Sequence, residues 1–531
     1  MARFEQSSSW RAANLKRLLD KHFYPFLFAA YPVLALFGSN VEEIRFDTAF
    51  RALIVSVFIS VFLYYVLVML VQDRDKAALI TSMAIILFFT YGHFYNLLKS
   101  SQELGALLGK HRVLLLIWVV LFAAGLFIIL KKKVATESLN GLLNIIAVTA
   151  LIIPLIQIGR FEFSSYISKS GIEEQYEDTV PAQEHSNGQL PDIYLIILDA
   201  YARDDILLGE FEFDNSQFLM DLENSGFFIG TCSRSNYAQT SLSLSSSLNM
   251  NYLEALGDNY KPGNTSRAGI KELIQDNRVR NILESMGYQI VAFETGFNIT
   301  QWEDADIYLS PRKGGLIADR LFSGINEFEL LVLRNSLARI VIDGAALLPE
   351  ILQPDLNNPN RIHYERILYV LEQLENLPEV DGPKFVFTHM VIPHGPFVFE
   401  PDGDFVDYDK PYYQGYKDQV SFINRKILPV LQEIIRQSDP EPIIILQADH
   451  GAVKSQPDTR VNILNAYYLP GEGNDRIYNS ISPVNNFRTI FNLYFDGDFE
   501  ILEDNSLFST YNQPYDFQII PESRTICTKG N

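Results

Sequence analysis

Four places in the sequence set a carboxylate, a hydroxyl or an imidazole at the edge of an apolar run. Asp199 closes Pro191-Asp-Ile-Tyr-Leu-Ile-Ile-Leu, and Thr240 ends Ser235-Asn-Tyr-Ala-Gln, just before a Ser/Leu-rich stretch. His389 and His394 lie in Phe385-Val-Phe-Thr-His-Met-Val-Ile-Pro-His-Gly-Pro-Phe397, and Asp449-His450-Gly451 follows Pro442-Ile-Ile-Ile-Leu-Gln-Ala. Oxygen and imidazole donors together suit Zn²⁺ or Mn²⁺, the carboxylates leaning toward the harder ion. A hydroxyl delivered to the same place suggests a nucleophile activated by one such divalent ion.

These residues need a scaffold that brings distant strand ends together. Ile193 to Leu198 is apolar or aromatic without interruption, as in a strand covered by helices on both faces of a parallel sheet. Ligands of such sheets sit beyond the carboxyl ends of the strands, where Asp199 falls. Thr240 falls at an expected helix start, where free N–H groups and the helix dipole favour an anion. Further on, helical patterns at 270–286, 327–342, 361–374 and 414–437 alternate with strand patterns at 289–293, 384–388 and 442–447. The alternation predicts an α/β domain with a mainly parallel central sheet. Within it, Leu330 to Ile342 has two readings: a helix packed on the sheet, which the pattern favours, or a segment resting on membrane or on the preceding helices.

The first part of the chain has a different composition. Five hydrophobic stretches, Phe23–Phe37, Ala52–Val71, Ala77–Leu98, Val113–Leu130 and Leu142–Ile158, precede the α/β pattern. Four approach the roughly 20 residues that cross a hydrocarbon core, and the first is interrupted by Pro25 and Pro32. They lack the polar stripes of a buried soluble bundle. The tail and alternate loops carry ten basic residues (Arg3, Arg11, Lys16, Arg17, Lys21, Arg74, Lys76, Lys131, Lys132, Lys133) against five in the others (Arg45, Arg51, Lys99, Lys110, Arg112). This asymmetry predicts a cytoplasmic N-terminus in the plasma membrane, five spans, and everything after Arg160 outside. The expected organisation is 1–160 transmembrane, 161–190 a polar linker, 191–515 an extracytoplasmic catalytic domain and 516–531 a tail. A net charge of −21 argues against a nucleic-acid partner. The only two cysteines, Cys232 and Cys527, fall outside, where a disulfide or two buried thiols are both compatible with the sequence.

With the motifs and spans together, the chain resembles the membrane-anchored branch of the alkaline phosphatase and sulfatase superfamily, in particular lipoteichoic acid synthases and phosphoethanolamine transferases. The resemblance implies an acidic metal ligand at Asp199, although both families usually have Glu there. It implies a threonine nucleophile at Thr240 and paired metal ligands at Asp449 and His450. The transferases' two histidines, the second before Gly-Pro, match His389 and His394, and the synthases' phosphate-contacting histidine again points to His394. Cys232-Ser-Arg-Ser-Asn236 lacks the proline and the spaced arginine of true sulfatases, so an oxidised-cysteine route is not expected. No histidine follows His450, so one metal ion is expected rather than two.

The resemblance thus implies transfer of a phosphoalcohol group from a membrane phospholipid to an envelope glycan or lipid acceptor through phospho-Thr240, with His394 a donor to phosphate. His389 has two possible roles: protonating the leaving alkoxide, or supporting the loop. Ser241 and Ser243 are alternative hydroxyls, read more simply as small residues on a packed helix face. Arg203, Asn236, Lys454 and Arg460 are candidate substrate contacts. Competing readings are a phosphodiesterase or other ester hydrolase on the same scaffold, and a non-catalytic membrane binding protein.

Overall fold

The computed structural model describes residues 21–41, 43–100, 109–131, 136–175, 190–267, 269–311, 325–344, 358–408, 410–454, 456–471 and 473–521. The chain divides into two units: Met1–Arg160 with Leu316–Pro359, and Phe161–Gly315 with Asn360–Asn531.

Among the described residues, the first unit holds five long helices, α1 (Tyr24–Gly38), α2 (Phe46–Val71), α3 (Arg74–Ser100), α4 (His111–Lys131) and α5 (Thr136–Gln175). Four of them, α2 to α5, are long and apolar enough to cross a membrane. The 15 residues of α1 span only about 22 Å, short of a hydrocarbon core of about 30 Å. Large apolar side chains point outward, with Phe58 67% and Met69 77% exposed. Water would penalise such a surface, whereas lipid accepts it. Polar groups turn inward and bond between helices, as expected where hydrocarbon offers them no partner. Ser56 Oγ donates to Ala29 O at 2.7 Å, Ser60 Oγ to Pro25 O at 3.0 Å, and Tyr24 Oη to Asn140 Oδ1 at 3.0 Å.

The stretch 327–342 does not pack on the sheet, contrary to the favoured expectation. It forms two short helices, Glu327–Arg334 and Arg339–Asp343, within the first unit. Phe328 meets Phe37 edge-on, the Leu337 amide donates to Phe88 O at 2.7 Å, and Glu329 pairs with Arg51. Gly92 makes the approach possible: a Cβ there would lie 2.4 Å from the Asn335 carbonyl carbon. A uniformly apolar segment reads alike against a sheet or a helix bundle, so its pattern could not choose.

In the second unit a seven-stranded sheet runs β2 (Phe228–Ile229), β7 (Asn465–Tyr468), β6 (Ile443–Gln447), β1 (Ile193–Leu198), β5 (Lys384–Met390), β3 (Gln289–Phe293), β4 (Ile307–Leu309). The β6–β1–β5–β3–β4 block is parallel, while β7 pairs antiparallel with β6 and with β2. Every residue of β1, β5 and β6 is buried, as uninterrupted apolar runs between two helix layers require. Tyr194, Ile196 and Leu198 enter one core and Ile193, Leu195 and Ile197 the other. A separate hairpin pairs β8 (Leu507–Thr510) with β9 (Gln513–Ile519), which runs past the expected boundary at 515.

Several boundaries moved for local reasons. The helix expected over 270–286 breaks into Ile270–Gln275 and Arg278–Ser285, because Asn277 leaves helical geometry and caps the second through Arg280 N. The polar segment expected to be a linker from 161 begins as the continuation of α5 to Gln175, and 176–189 lie outside the described residues. Cys527, and with it any pairing to Cys232, also lies outside them.

Candidate metal centre and nucleophile

Three adjacent parallel strands deliver the site. In register, Ile197 of β1 stands opposite His389 of β5 and Gln447 of β6, so Asp199 and Asp449 emerge side by side just past the strand ends. The turn after β1 is fixed by its own backbone. Ala200 has φ +64°, its N–H donates to Asp449 Oδ1 at 3.0 Å, and Tyr416 Oη donates to its carbonyl at 2.8 Å. The His394 amide donates to Asp199 O at 3.1 Å, tying the histidine loop to the same turn.

The side chains converge. His389 Nε2 lies 3.6 Å from Asp199 Oδ2, and His450 Nε2 lies 3.9 Å from Asp199 Oδ1 and 3.5 Å from Asp449 Oδ2. Donor atoms of Asp199, His389 and Asp449 all fall within 4.8 Å of one another, and all three residues are buried. Asp199 Oδ1, Asp449 Oδ2 and His389 Nε2 have no hydrogen-bond partner although buried. Leaving buried polar atoms unpaired is costly, so three of them facing one point fit a cation. The far side of each imidazole is occupied: His389 Nδ1 is 3.1 Å from Thr300 Oγ1, and His450 Nδ1 is 2.7 Å from Gly451 O. This is the outer-sphere pattern that orients metal-ligating histidines.

Thr240 opens the Thr240–Leu248 helix, whose N-cap residue Gln239 makes no side-chain cap. Its Oγ1 lies 3.3 Å from His450 Nε2 and the residue is only half-buried, so the hydroxyl stands between the cluster and solvent. Ser243 is buried on the inner helix face, and Ser241 Oγ accepts from Arg267 Nη1 at 3.1 Å.

Burial alone would raise the Asp199 carboxyl, but His394, His389 and His450 hold it well below the usual carboxylate range. Burial likewise lowers His450, against the pull of Asp449. An ionised carboxylate beside a neutral imidazole is the protonation state that binds a cation.

Not every sequence candidate joins the cluster. Arg203 is buried, its Nε and Nη2 donate to Asp205 and its Nη1 to Ser233 O, so its guanidinium pins the β1 loop. Asn236 is buried too, with Nδ2 bonded to Tyr252, Ser482 and Asn505 and Oδ1 accepting from the Val484 amide. Lys454 is exposed, its ammonium 5.8 Å from the Tyr412 ring. Arg460 does approach: burial lowers its pKa while Asp449 and Asp199 act on it in the opposite sense. Gly451 lets that loop close, since a Cβ there would lie 2.8 Å from Arg460 O and 2.7 Å from Asn462 O.

Two neighbours were not singled out. Arg267 binds Ser241 and Gln239 on either side of Thr240. His363, buried on the Asn358–Asn376 helix, bonds to the Val391 backbone and has its Nε2 without a partner. Neither sits in a recognisable motif, so only the fold could bring them in.

No protein-family model matches the chain, and none of the curated proteins does. Among solved structures, the integral membrane protein lipooligosaccharide phosphoethanolamine transferase A (EptA) from Neisseria meningitidis aligns over 91% of this chain and 95% of its own, at 13% identity and TM-score 0.39. The periplasmic domain of EptC from Escherichia coli in complex with Zn covers 64% and 94%, at 10% identity and TM-score 0.40. An alkaline phosphatase superfamily protein from Vibrio parahaemolyticus covers 61% and 74%, at 12% identity and TM-score 0.36. These likenesses are remote.

Proposed function

We propose that the chain is a multi-pass membrane enzyme that moves a phosphoalcohol group, of the phosphoglycerol or phosphoethanolamine type, from a membrane phospholipid to an envelope acceptor through phospho-Thr240. The carrying observation is a half-buried threonine hydroxyl at a helix N-terminus, 3.3 Å from an imidazole that borders two buried carboxylates with unpaired oxygens. Asp199, Asp449, His450 and His389 would hold one divalent ion, with Thr240 beside it; two carboxylates and two imidazoles suit Zn²⁺ or Mn²⁺. That ion supplies positive charge which lowers the hydroxyl pKa and offsets charge on the phosphoryl oxygens.

The chain's own residues do the rest. Thr240 Oγ1 gives up its proton to water and attacks phosphorus, the bond from phosphorus to the diacylglycerol oxygen breaks, and that oxygen takes up one proton in exchange. His389 is 2% exposed and turned into the cluster, which supports a ligand's role for it over that of the acid. His394 is half-buried, with Nδ1 2.7 Å from Gly395 O, and is the better placed donor to phosphate or leaving group. Arg460 adds fixed positive charge, and the Thr240 helix N-terminus adds N–H groups toward the anion. An acceptor hydroxyl then attacks phospho-Thr240 and restores the free hydroxyl.

In this assignment the N-terminus is cytoplasmic and the catalytic unit extracytoplasmic, which requires the short apolar α1 to complete a fifth crossing beside α2 to α5. The test is to incubate the purified protein with headgroup-labelled phospholipid, quench in acid and locate the adduct by mass spectrometry. A headgroup phosphate on Thr240 is expected, and an adduct on another residue would move the nucleophile. Headgroup appearing only as free phosphoalcohol, with none on an acceptor, would make the enzyme a hydrolase.

A further inference from the structure

The first unit contains a cavity of about 860 Å³ that the reaction above does not use. Its walls come from α2, α3, α4 and the 325–337 segment, through residues such as Ile59, Phe88, Trp118, Val332 and Leu333. Among the described residues, the charged ones on it are Arg51 and Glu329, which are paired. Glu329 is fixed further by a reciprocal cap with Asn326. The volume lies within the roughly 300–1,000 Å³ of ligand pockets.

The dimensions and position indicate what belongs there. Along α2 the cavity runs from Arg51 to Leu63, about 18 Å at 1.5 Å per residue, close to the roughly 15 Å of one leaflet. Val55, Ile59 and Val119 line it yet are 47%, 52% and 55% exposed, so it opens sideways at the apolar surface between α2 and α4. Around helices of this composition the surrounding medium is hydrocarbon, and an apolar void open to it fills with a chain rather than with water. An ionisable pair within such helices is costly to keep and marks a polar ligand group.

We propose that this slot binds one membrane glycerophospholipid, its acyl chain along α2 and its phosphate headgroup at the Arg51–Glu329 end. This deepens the transfer reading and rests on it only in making that lipid the donor. The geometry of the slot stands independently of Thr240.

The probe is a phospholipid carrying a diazirine in mid-chain, mixed in trace amount into phosphatidylethanolamine and phosphatidylglycerol vesicles holding the full-length protein. After irradiation, adducts should concentrate on the peptides containing 84–89 and 325–337. Ala84→Trp should cut this labelling several-fold, and Val332→Trp on the opposite wall should do the same, each checked for a native elution volume. Leu121→Trp, on the lipid-facing side of α4, should leave it unchanged. A diazirine diacylglycerol without phosphate should label the slot several-fold less. Even labelling of all lipid-facing helices, indifference to both slot-filling variants, or equal labelling by diacylglycerol would overturn the proposal. The Thr240→Ala protein should label like wild type. Labelling without headgroup turnover in wild type would sink the donor assignment alone, and turnover without slot labelling would sink the slot alone.

Discussion

Replacing Thr240 by alanine removes the half-buried hydroxyl 3.3 Å from His450 Nε2 while leaving the carboxylates and imidazoles in place. Headgroup turnover should fall by about a thousandfold or more, as when a covalent nucleophile is deleted, with thermal stability nearly unchanged. Thr240→Ser, which keeps the hydroxyl, should retain measurable turnover in the same labelled-lipid assay. His363 makes a different kind of prediction. Burial first, then Arg366 and His394, push its pKa down from 6.5 to about 3, so the folded protein keeps this imidazole neutral. The unfolded chain protonates it below about pH 6.5, so its share of stability is complete above that pH and is lost as pH falls toward 3. The slope is at most about 1.4 kcal/mol per pH unit. His363→Gln, which cannot titrate, should flatten the fall of melting temperature with acid, and an unchanged slope would show that other groups cause it.

Among the elements, the segment 325–344 shows how a contact depends on the surface it meets. Gly92 offers bare backbone to Asn335, and Leu337 reaches the Phe88 carbonyl that α3 leaves accessible. Gly92→Val would force these apart, costing about 1–3 kcal/mol as overpacking does. Limited proteolysis should then cut within 325–344 faster than in wild type, with the sheet unit still resistant. The strands behave differently. β1, β5 and β6 are buried on both faces, and any slip in their register would separate Asp199 from Asp449. The Asp199–His389–Asp449 cluster is therefore held by the middle of the sheet, while Thr240 comes from a helix start and His394 from a loop.

For the whole molecule, one cation would join residues that the sequence keeps 250 positions apart, from Asp199 to Asp449. A ligand that binds only the folded state stabilises it, by about 2.7 kcal/mol at one hundred times its dissociation constant. Adding Zn²⁺ or Mn²⁺ to chelator-stripped protein should raise the melting temperature of the sheet unit, and Asp449→Asn should abolish that increment. An equal rise in the variant would place the ion elsewhere.

Much of this was legible in the linear chain. Continuous apolar runs in two lengths, about 20 residues and about 6, separate membrane helices from doubly covered strands, because hydrocarbon thickness and strand length differ. A carboxylate or histidine directly after such a short run must appear at a strand end, so Asp199, His389 and the Asp449–His450 pair could be named together. Tertiary structure alone decided the rest. Arg203 and Asn236 bond to framework partners up to 269 residues away, which residue type alone does not reveal. The placement of 327–342 on helices, the inward turn of His389, and the arrival of Arg267 and His363 all depend on surfaces made by remote parts of the chain. Periodicity reports which face of an element is apolar, and only packing determines what that face meets.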